Sequence, residues 1–195
     1  MPNRLIYLVR HGETDWNAAR RWQGQTDVAL NAAGRAQALA IAGALRGVAV
    51  AGVVASDLAR ASETARVVAD ALHVPLVYVD PALRERSFGC FEGLTREECE
   101  ERHAEAWRLW VTERRPPPDA EDTARVAARM TTAIAEVAER VAYEGAAAVV
   151  VTHGGAIRAF VHAATGTLPA PFANGEVCRI RWDGRAFAVL GHSEP

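Results

Sequence analysis

The chain has 195 residues, of which 22 are basic and 24 are acidic, so its formal net charge at neutral pH is -2. A balance so close to neutral predicts no nucleic-acid surface and no affinity for anionic membranes, and any anionic ligand must be held by a local cluster of cations. Every basic residue is an arginine, which excludes a Walker A loop and Schiff-base chemistry because both need a lysine. Arginine still suits bidentate contacts with phosphate or carboxylate groups.

The length and the 50% content of hydrophobic residues favour a single domain over residues 1–195. The three cysteines, Cys90, Cys99 and Cys178, lack paired spacing, which predicts neither a disulfide framework nor a CxxC metal site. The N-terminal apolar run is too short for a signal peptide, and no stretch of sequence approaches a membrane span. We therefore expect a cytoplasmic protein.

Short apolar segments predict the strands of a mostly parallel sheet, because they lack the polar alternation of half-exposed strands. In chain order they cover residues 5–9, 52–56, 75–80 and 146–155. Near the C-terminus, Asp183 and Gly184 separate two partly alternating runs, which predicts a hairpin at a sheet edge.

Helical patterns alternate with these strands. Asn31 and Asp57 each precede such a pattern and are predicted to cap the helix that follows. A third pattern covers residues 123–143 and is expected to end at Gly145. The alternation predicts an α/β fold, a three-layer sandwich with a mostly parallel central sheet and helices on both faces.

Residues 86–120 interrupt the alternation. Thr95 and Glu98 have the spacing of a capping box, and a helix is predicted to follow them until the prolines at 116–118. We expect a small helical lid over the site. Its candidates for substrate choice are the large and charged side chains Trp107, Trp110, Arg114 and Arg115.

Two predicted strands end at a histidine followed by glycine, in Arg10-His11-Gly12 and in His153-Gly154-Gly155. Because the carboxyl ends of parallel strands share one edge, both histidines are expected to meet there. Gly154 and its neighbours let backbone amides approach a ligand, and a helix that begins nearby points its N-terminus at the same place. A third strand leads into a helix that carries Arg60. The edge therefore predicts a phosphate site.

The available nucleophile at this edge is an imidazole, because the sequence has no lysine and no GxSxG motif. A neutral histidine can attack phosphorus in line while arginines balance the charge on the equatorial oxygens. The leaving alkoxide needs a proton, and Glu85 and Glu92 are the candidates for donating it. Cys99 and His103 have the spacing of metal ligands on a helix, but without further ligands we expect no metal site.

Four segments, LVRHGETDWN, SDLARASETA, LRERSFGCFEG and VVTHGGAIRAF, together resemble the histidine phosphatase superfamily, also called phosphoglycerate mutase-like, over nearly the whole chain. The resemblance implies that His11 is the phosphorylated nucleophile and that Glu85 acts as acid and then as base. It also implies a phosphate pocket completed by Arg10, Arg60 and His153.

The same resemblance suggests substrate contacts for Asn17 and Gly24. Where family members often show GGES before the long helix, this chain reads DAED, so that only Glu121 matches. The chain is also shorter than the glycolytic mutases of the family, and it reads ERSFG where they carry ERHYG.

These features favour a metal-independent phosphomonoester hydrolase that acts on a small phosphorylated metabolite and requires no cofactor. The alternative is a cofactor-dependent phosphoglycerate mutase, which would need 2,3-bisphosphoglycerate. An alternative of another class is a module that binds a phosphorylated ligand without turnover, which the presence of Glu85 disfavours. Whether the protein forms a homodimer stays open.

Overall fold

The strands of the computed structural model, which describes residues 3–193, form one six-stranded sheet. They are β1 (Arg4–Arg10), β2 (Val50–Ala55), β3 (Leu76–Val79), β4 (Ala147–Thr152), β5 (Val177–Trp182) and β6 (Phe187–Ser193). Their spatial order is β3-β2-β4-β1-β5-β6. The first four strands pair in parallel, whereas β5 and β6 are antiparallel. The predicted mostly parallel sheet and its C-terminal hairpin at one edge are confirmed.

Seven α-helices connect the strands within residues 3–193. They are α1 (Asp15–Ala18), α2 (Ala32–Ala44), α3 (Ala59–Leu72), α4 (Arg96–Arg102), α5 (Ala104–Glu113), α6 (Thr123–Arg140) and α7 (Gly154–Thr165), with 3-10 turns at Pro81–Leu83 and Gly89–Phe91. None of these helices is both long and apolar enough to span a membrane.

Alternate residues of the strands face two separate apolar cores. Ile6 and Leu8 of β1 pack on the side of α6 and α7, whereas Tyr7 and Val9 pack on the side of α2 and α3. Strand β4 is buried at every position, since it is paired on both edges and covered on both faces. The predicted three-layer sandwich is confirmed.

One predicted helix cap is wrong. Asn31 caps α2 by accepting a hydrogen bond from the Gly34 amide at 2.8 Å, but Asp57 does not cap α3. The Asp57 carboxylate instead forms a bidentate ion pair with Arg84, at 2.6 and 2.7 Å. The first amide of α3 donates to a carboxylate oxygen of Asp27 at 2.7 Å. A loop distant in the sequence thus supplies the cap in place of Asp57.

The predicted end of α6 is also wrong. The helix ends at Arg140, and Val141 is its C-cap. The backbones of Tyr143 and Ala146 then bond to each other across a tight turn. Gly145, with φ of 89°, lies inside this turn, where its left-handed conformation serves the entry into β4 and not the end of the helix.

The excursion at residues 86–120 folds as α4 and α5 over a third apolar cluster. The predicted capping box at Thr95 is present, but His103 is not helical and divides the predicted single helix in two. Buried Trp107 anchors this cluster, and the Trp22 ring lies 4.7 Å from the Phe88 ring. Aromatic packing therefore fixes the segment to the loop that follows α1.

Candidate active site

The predicted site lies at the carboxyl edge of the sheet, where β1 and β4 end side by side. Arg10 pairs with Thr152 in the parallel register, so His11 and His153 leave the sheet together. Their ring centroids are 5.0 Å apart, with 61° between the ring planes. The exposed fractions of the two residues are 3% and 0%. The structure thus brings together the two histidines that the strand ends predicted.

The His11 ring is oriented by the backbone that follows it. Its Nδ1 lies 2.6 Å from the carbonyl oxygen of Gly12, and since a carbonyl only accepts, Nδ1 carries the proton. The lone pair of Nε2 is therefore free. Burial, followed by the positive charges of Arg60 and Arg10, holds the pKa of His11 well below its usual value. This lowering of the pKa favours the neutral, nucleophilic form of the imidazole.

His153 is buried without a hydrogen-bond partner for either ring nitrogen among residues 3–193. Burial first, and the charge of Arg60 second, keep the pKa of His153 well below its usual value. Buried polar atoms are nearly always hydrogen-bonded in folded proteins. A neutral imidazole with one donor and one acceptor suits a ligand that carries several oxygens.

Arg10 and Arg60 supply positive charge to the same place. Buried Arg60 donates to the carbonyls of Gly24 and Thr26 at 2.7 and 2.9 Å, and Arg10 donates to the carbonyl of Phe172. The Nε–H of each guanidinium has no partner in the described part of the chain. Burial lowers the pKa of Arg60 to about 10 and lowers the pKa of Arg10, yet both stay cationic at neutral pH.

Glu85 holds a carboxylate in the same cleft. One oxygen accepts from the Gly155 amide at 2.9 Å, and the other accepts from the Arg86 amide at 2.8 Å. A Cβ at position 155 would lie 2.5 Å from the nearer oxygen, so this approach requires glycine. The Glu85 carbonyl accepts from Gln25 at 3.2 Å and from Arg129 at 3.1 Å. The residue is fixed at both its backbone and its side chain.

A partly buried ion pair beside the Glu85 loop was not predicted from the sequence. Arg129 of α6 donates to the carbonyls of Ala82 and Arg84 at 2.8 and 2.6 Å, and it pairs with Glu121 at 2.8 Å. Glu121 thereby orients the guanidinium that holds the loop before Glu85. In the sequence, only the match of Glu121 to the family pattern pointed to this role. The indication was weak because the residues beside Glu121 do not match that pattern.

Glu92, the other predicted proton donor, is not part of the wall of the cleft. Its carboxylate accepts from the amides of Gln25, Thr26 and Phe88 at 3.1, 3.0 and 3.0 Å. Gly24 has φ of 54°, and a Cβ there would lie 2.0 Å from a Glu92 oxygen. Glu92 therefore holds two loops together, and Glu85 is the candidate acid.

The replacement Glu92→Gln is expected to lower the free energy of unfolding by about 2 kcal/mol, because an amide cannot accept from all of these donors. Urea denaturation of the purified protein measures the change. Glu113→Gln is the matched control, since its ion pair with Arg115 is exposed and contributes little. Equal stability of the two variants would contradict the structural role of Glu92.

Asn17 and Gly24 both line the cleft. The Asn17 side-chain oxygen accepts from the Thr14 amide at 3.1 Å and so completes a capping box on α1. Asn174 donates to the carbonyl of His11 at 3.0 Å and to the same Asn17 oxygen at 3.3 Å. Asn174 lies in a loop without a recognisable motif, and no sequence signal pointed to it.

The cleft has a volume of about 280 Å³. Its wall consists of Arg10, His11, Asn17, Arg20, Arg21, Trp22, Gln23, Gly24, Arg60, Glu85 and Phe88. The side chains expected to choose the substrate lie elsewhere. Trp107 and Trp110 pack behind Trp22, with ring centroids 6.5 and 6.0 Å from it, and Arg115 lines a separate groove beside the prolines. Trp22 and Phe88 form the aromatic wall in their place.

Within residues 3–193, no group of three or more His, Cys, Asp or Glu side chains is arranged to hold a metal ion. Cys99 is buried in the third apolar cluster. The His103 ring packs against the Phe91 ring, with centroids 6.3 Å apart. The two residues with metal-like spacing therefore pack with aromatic side chains.

The family model of the histidine phosphatase superfamily (branch 1) matches residues 6–195. "Probable phosphoglycerate mutase GpmB" of Enterobacter sp. (strain 638) is 39% identical over 173 residues, covering 85% of this chain and 76% of that protein. "Metal-independent phosphoserine phosphatase" of Arabidopsis thaliana is 40% identical over 161 residues, covering 79% and 66%. The solved mycobacterial glucosyl-3-phosphoglycerate phosphatase Rv2419c with VO3 has a TM-score of 0.85 and 30% identity, covering 96% of this chain and 98% of that one. The resemblance drawn from the four sequence segments is confirmed, and the chain belongs to the histidine phosphatase superfamily, branch 1.

Proposed function

We propose that the protein is a metal-independent phosphatase of small phosphomonoesters, which passes the phosphoryl group to His11 and then to water. One observation carries the proposal. The unprotonated Nε2 of a buried, neutral His11 shares a cleft with the fixed carboxyl group of Glu85, between the guanidinium groups of Arg10 and Arg60. Nucleophile, proton donor and charge balance for phosphoryl transfer thus occur together.

In the first step, the lone pair of His11 Nε2 attacks phosphorus, and the bond between phosphorus and the ester oxygen breaks. Arg10, Arg60 and His153 bind the equatorial oxygens and balance their charge. The carboxyl group of Glu85 gives its proton to the leaving alkoxide. The products of this step are an alcohol, phosphohistidine and the Glu85 carboxylate.

In the second step, a water molecule attacks the phosphohistidine. The Glu85 carboxylate takes a proton from this water, the phosphorus–nitrogen bond breaks, and inorganic phosphate leaves with neutral His11 restored. The amide of Gly154, at the N-terminus of α7, adds a donor toward the anion. Asn174 holds the backbone of His11 through its carbonyl, and the Gly12 carbonyl orients the ring.

Hydrolysis and mutase activity differ only in the acceptor of the phosphoryl group, and relatives bear names of both kinds. The phosphatase names at 40% and 30% identity support hydrolysis. A mutase that uses 2,3-bisphosphoglycerate is the second candidate, supported by the name of the Enterobacter relative.

The three cysteines are free thiols, which supports a reducing cytoplasmic location.

The test of the proposal follows 3-phosphoglycerate in the presence of a chelator, with and without 2,3-bisphosphoglycerate. We expect phosphate release to exceed formation of 2-phosphoglycerate by at least about tenfold, which corresponds to about 1.4 kcal/mol between the two acceptors. Dominant isomerisation would reverse the assignment in favour of the mutase. Binding of phosphate without turnover of any phosphomonoester would favour a binding module.

A further inference from the structure

Arg20 forms part of the wall of the cleft, and its side chain is exposed. Its φ of 54° lies in the left-handed region, which residues other than glycine seldom adopt. The Arg20 amide donates to the Asn17 carbonyl at 3.0 Å, so the turn after α1 imposes this conformation. Strained backbone of this kind persists where the surrounding structure fixes it, and it is concentrated at ligand sites.

The neighbouring Arg21 differs from Arg20 because its charge is neutralised by a carboxylate. Arg21 forms two hydrogen bonds with the Glu98 carboxylate, at 2.5 and 3.3 Å, and donates to the Gly93 carbonyl at 2.6 Å. The exposed Arg20 side chain forms no hydrogen bond or ion pair with residues 3–193. The pKa of the exposed Glu97 carboxyl is lowered most by a hydrogen bond from its own backbone amide. The charge of Arg20 also lowers this pKa, but it is the weakest of the influences that do so.

The arginines of the cleft wall therefore fall into three groups. Arg10 and Arg60 lie beside the histidines, where two guanidinium groups match the charge of one phosphate dianion. Arg21 is matched by Glu98. Arg20 remains in the same wall as an exposed cation whose side chain has no partner in residues 3–193, so it is available to the leaving group of a bound phosphomonoester.

The geometry points to Arg20 as a specificity-determining residue that binds a carboxylate on the leaving group of the substrate. A carboxylate carries the single negative charge that one guanidinium group matches, and it accepts two parallel hydrogen bonds from the guanidinium fork. Trp22 and Phe88 border the same cleft, whose volume of about 280 Å³ suits a small substrate. This inference names the substrate class of the proposed phosphatase and rests on that function.

The experiment compares 3-phosphoglycerate with the glycerol phosphate of the same configuration, which has a hydroxymethyl group in place of the carboxylate. Arg20→Gln is expected to lower the ratio of their kcat/KM values about tenfold. The loss should appear mainly as a higher KM for 3-phosphoglycerate, because a contact far from phosphorus is equally strong in the ground state and the transition state.

Arg114→Gln is the matched control, because Arg114 is also exposed and left-handed, with φ of 57°, but lies outside the cleft wall. The control is expected to keep the wild-type ratio. An unchanged ratio in Arg20→Gln, equal losses with both substrates, or an equal fall of the ratio in the control would each overturn the assignment.

A second measurement separates this inference from the proposed function. Calorimetry gives the affinities of the same two compounds for His11→Ala and for the double variant His11→Ala, Arg20→Gln, without any need for turnover. A carboxylate preference that disappears with Arg20 would support the assignment even if the wild-type protein hydrolysed neither compound. A preference that persists in the double variant would overturn it, whatever the outcome for catalysis.

Discussion

Replacement of His11 by alanine is expected to reduce phosphate release by about 10⁴-fold or more, since the cleft offers no equivalent nucleophile. His153 is neutral as well, but its ring nitrogens lack the backbone contact that leaves the Nε2 lone pair of His11 free. The measurement is rapid quenching in alkaline detergent after mixing with a ³²P-labelled phosphomonoester, because phosphohistidine is lost in acid. Wild-type protein should retain base-stable, acid-labile label, and His11→Ala should retain none.

His162→Ala is the control for this experiment, because His162 is exposed in the last turn of α7. Its activity and labelling should equal those of the wild type. Thermal unfolding of both variants shows whether either has lost the fold. Label of the same stability in His11→Ala protein would identify another residue as the nucleophile and end the proposed route.

Replacement of Glu85 by glutamine is expected to slow hydrolysis of alkyl phosphates by about 10² to 10⁴-fold, because the leaving alkoxide then receives no proton. A nitrophenyl phosphate should lose much less in its first step, since nitrophenolate leaves without protonation. The decisive quantity is the burst of nitrophenolate in a single turnover. A fast burst followed by slow release of phosphate would show Glu85 acting in both steps.

The comparison of leaving groups also distinguishes the loss of the proton donor from a shift of the loop that carries residue 85. The glutamine amide cannot accept from both the Gly155 and the Arg86 amides, so the loop can shift in this variant. A shifted loop would slow both substrates alike. Equal losses for alkyl and nitrophenyl phosphates in the first step would therefore contradict the role of Glu85 as the acid.

The architecture and the centre of the site could be predicted because both depend on local patterns. Strand β4 reads as an unbroken apolar run because it is covered on both faces. The histidines at the ends of β1 and β4 meet because parallel strands in register end at one edge. Arg60, near the start of α3, follows from the same rule applied to β2.

The remainder of the site depends on contacts between residues far apart in the chain. Nothing near Ala59 in the sequence reveals that Asp27 accepts its amide hydrogen. Likewise, Asn174 reaches the His11 carbonyl from a loop that has no motif, and Glu121 acts only through Arg129. The sequence analysis also predicted that side chains of α5 select the substrate. In the structure, Trp107 packs in the third apolar cluster, and Trp22 lines the wall of the cleft instead.

The neutrality of the two buried imidazoles has a thermodynamic consequence for the binding of phosphate. His11 and His153 resist protonation because they are buried beside Arg60 and Arg10, and a bound dianion would offset the repulsion from these arginines. Anion binding and proton uptake then favour each other, by the reciprocity that governs coupled equilibria. A phosphate dianion is therefore bound more strongly as the pH falls through the range between the pKa values of the free and the liganded histidines. In the proposed hydrolysis, a lower pH would slow turnover by retaining the product as long as this dianion persists.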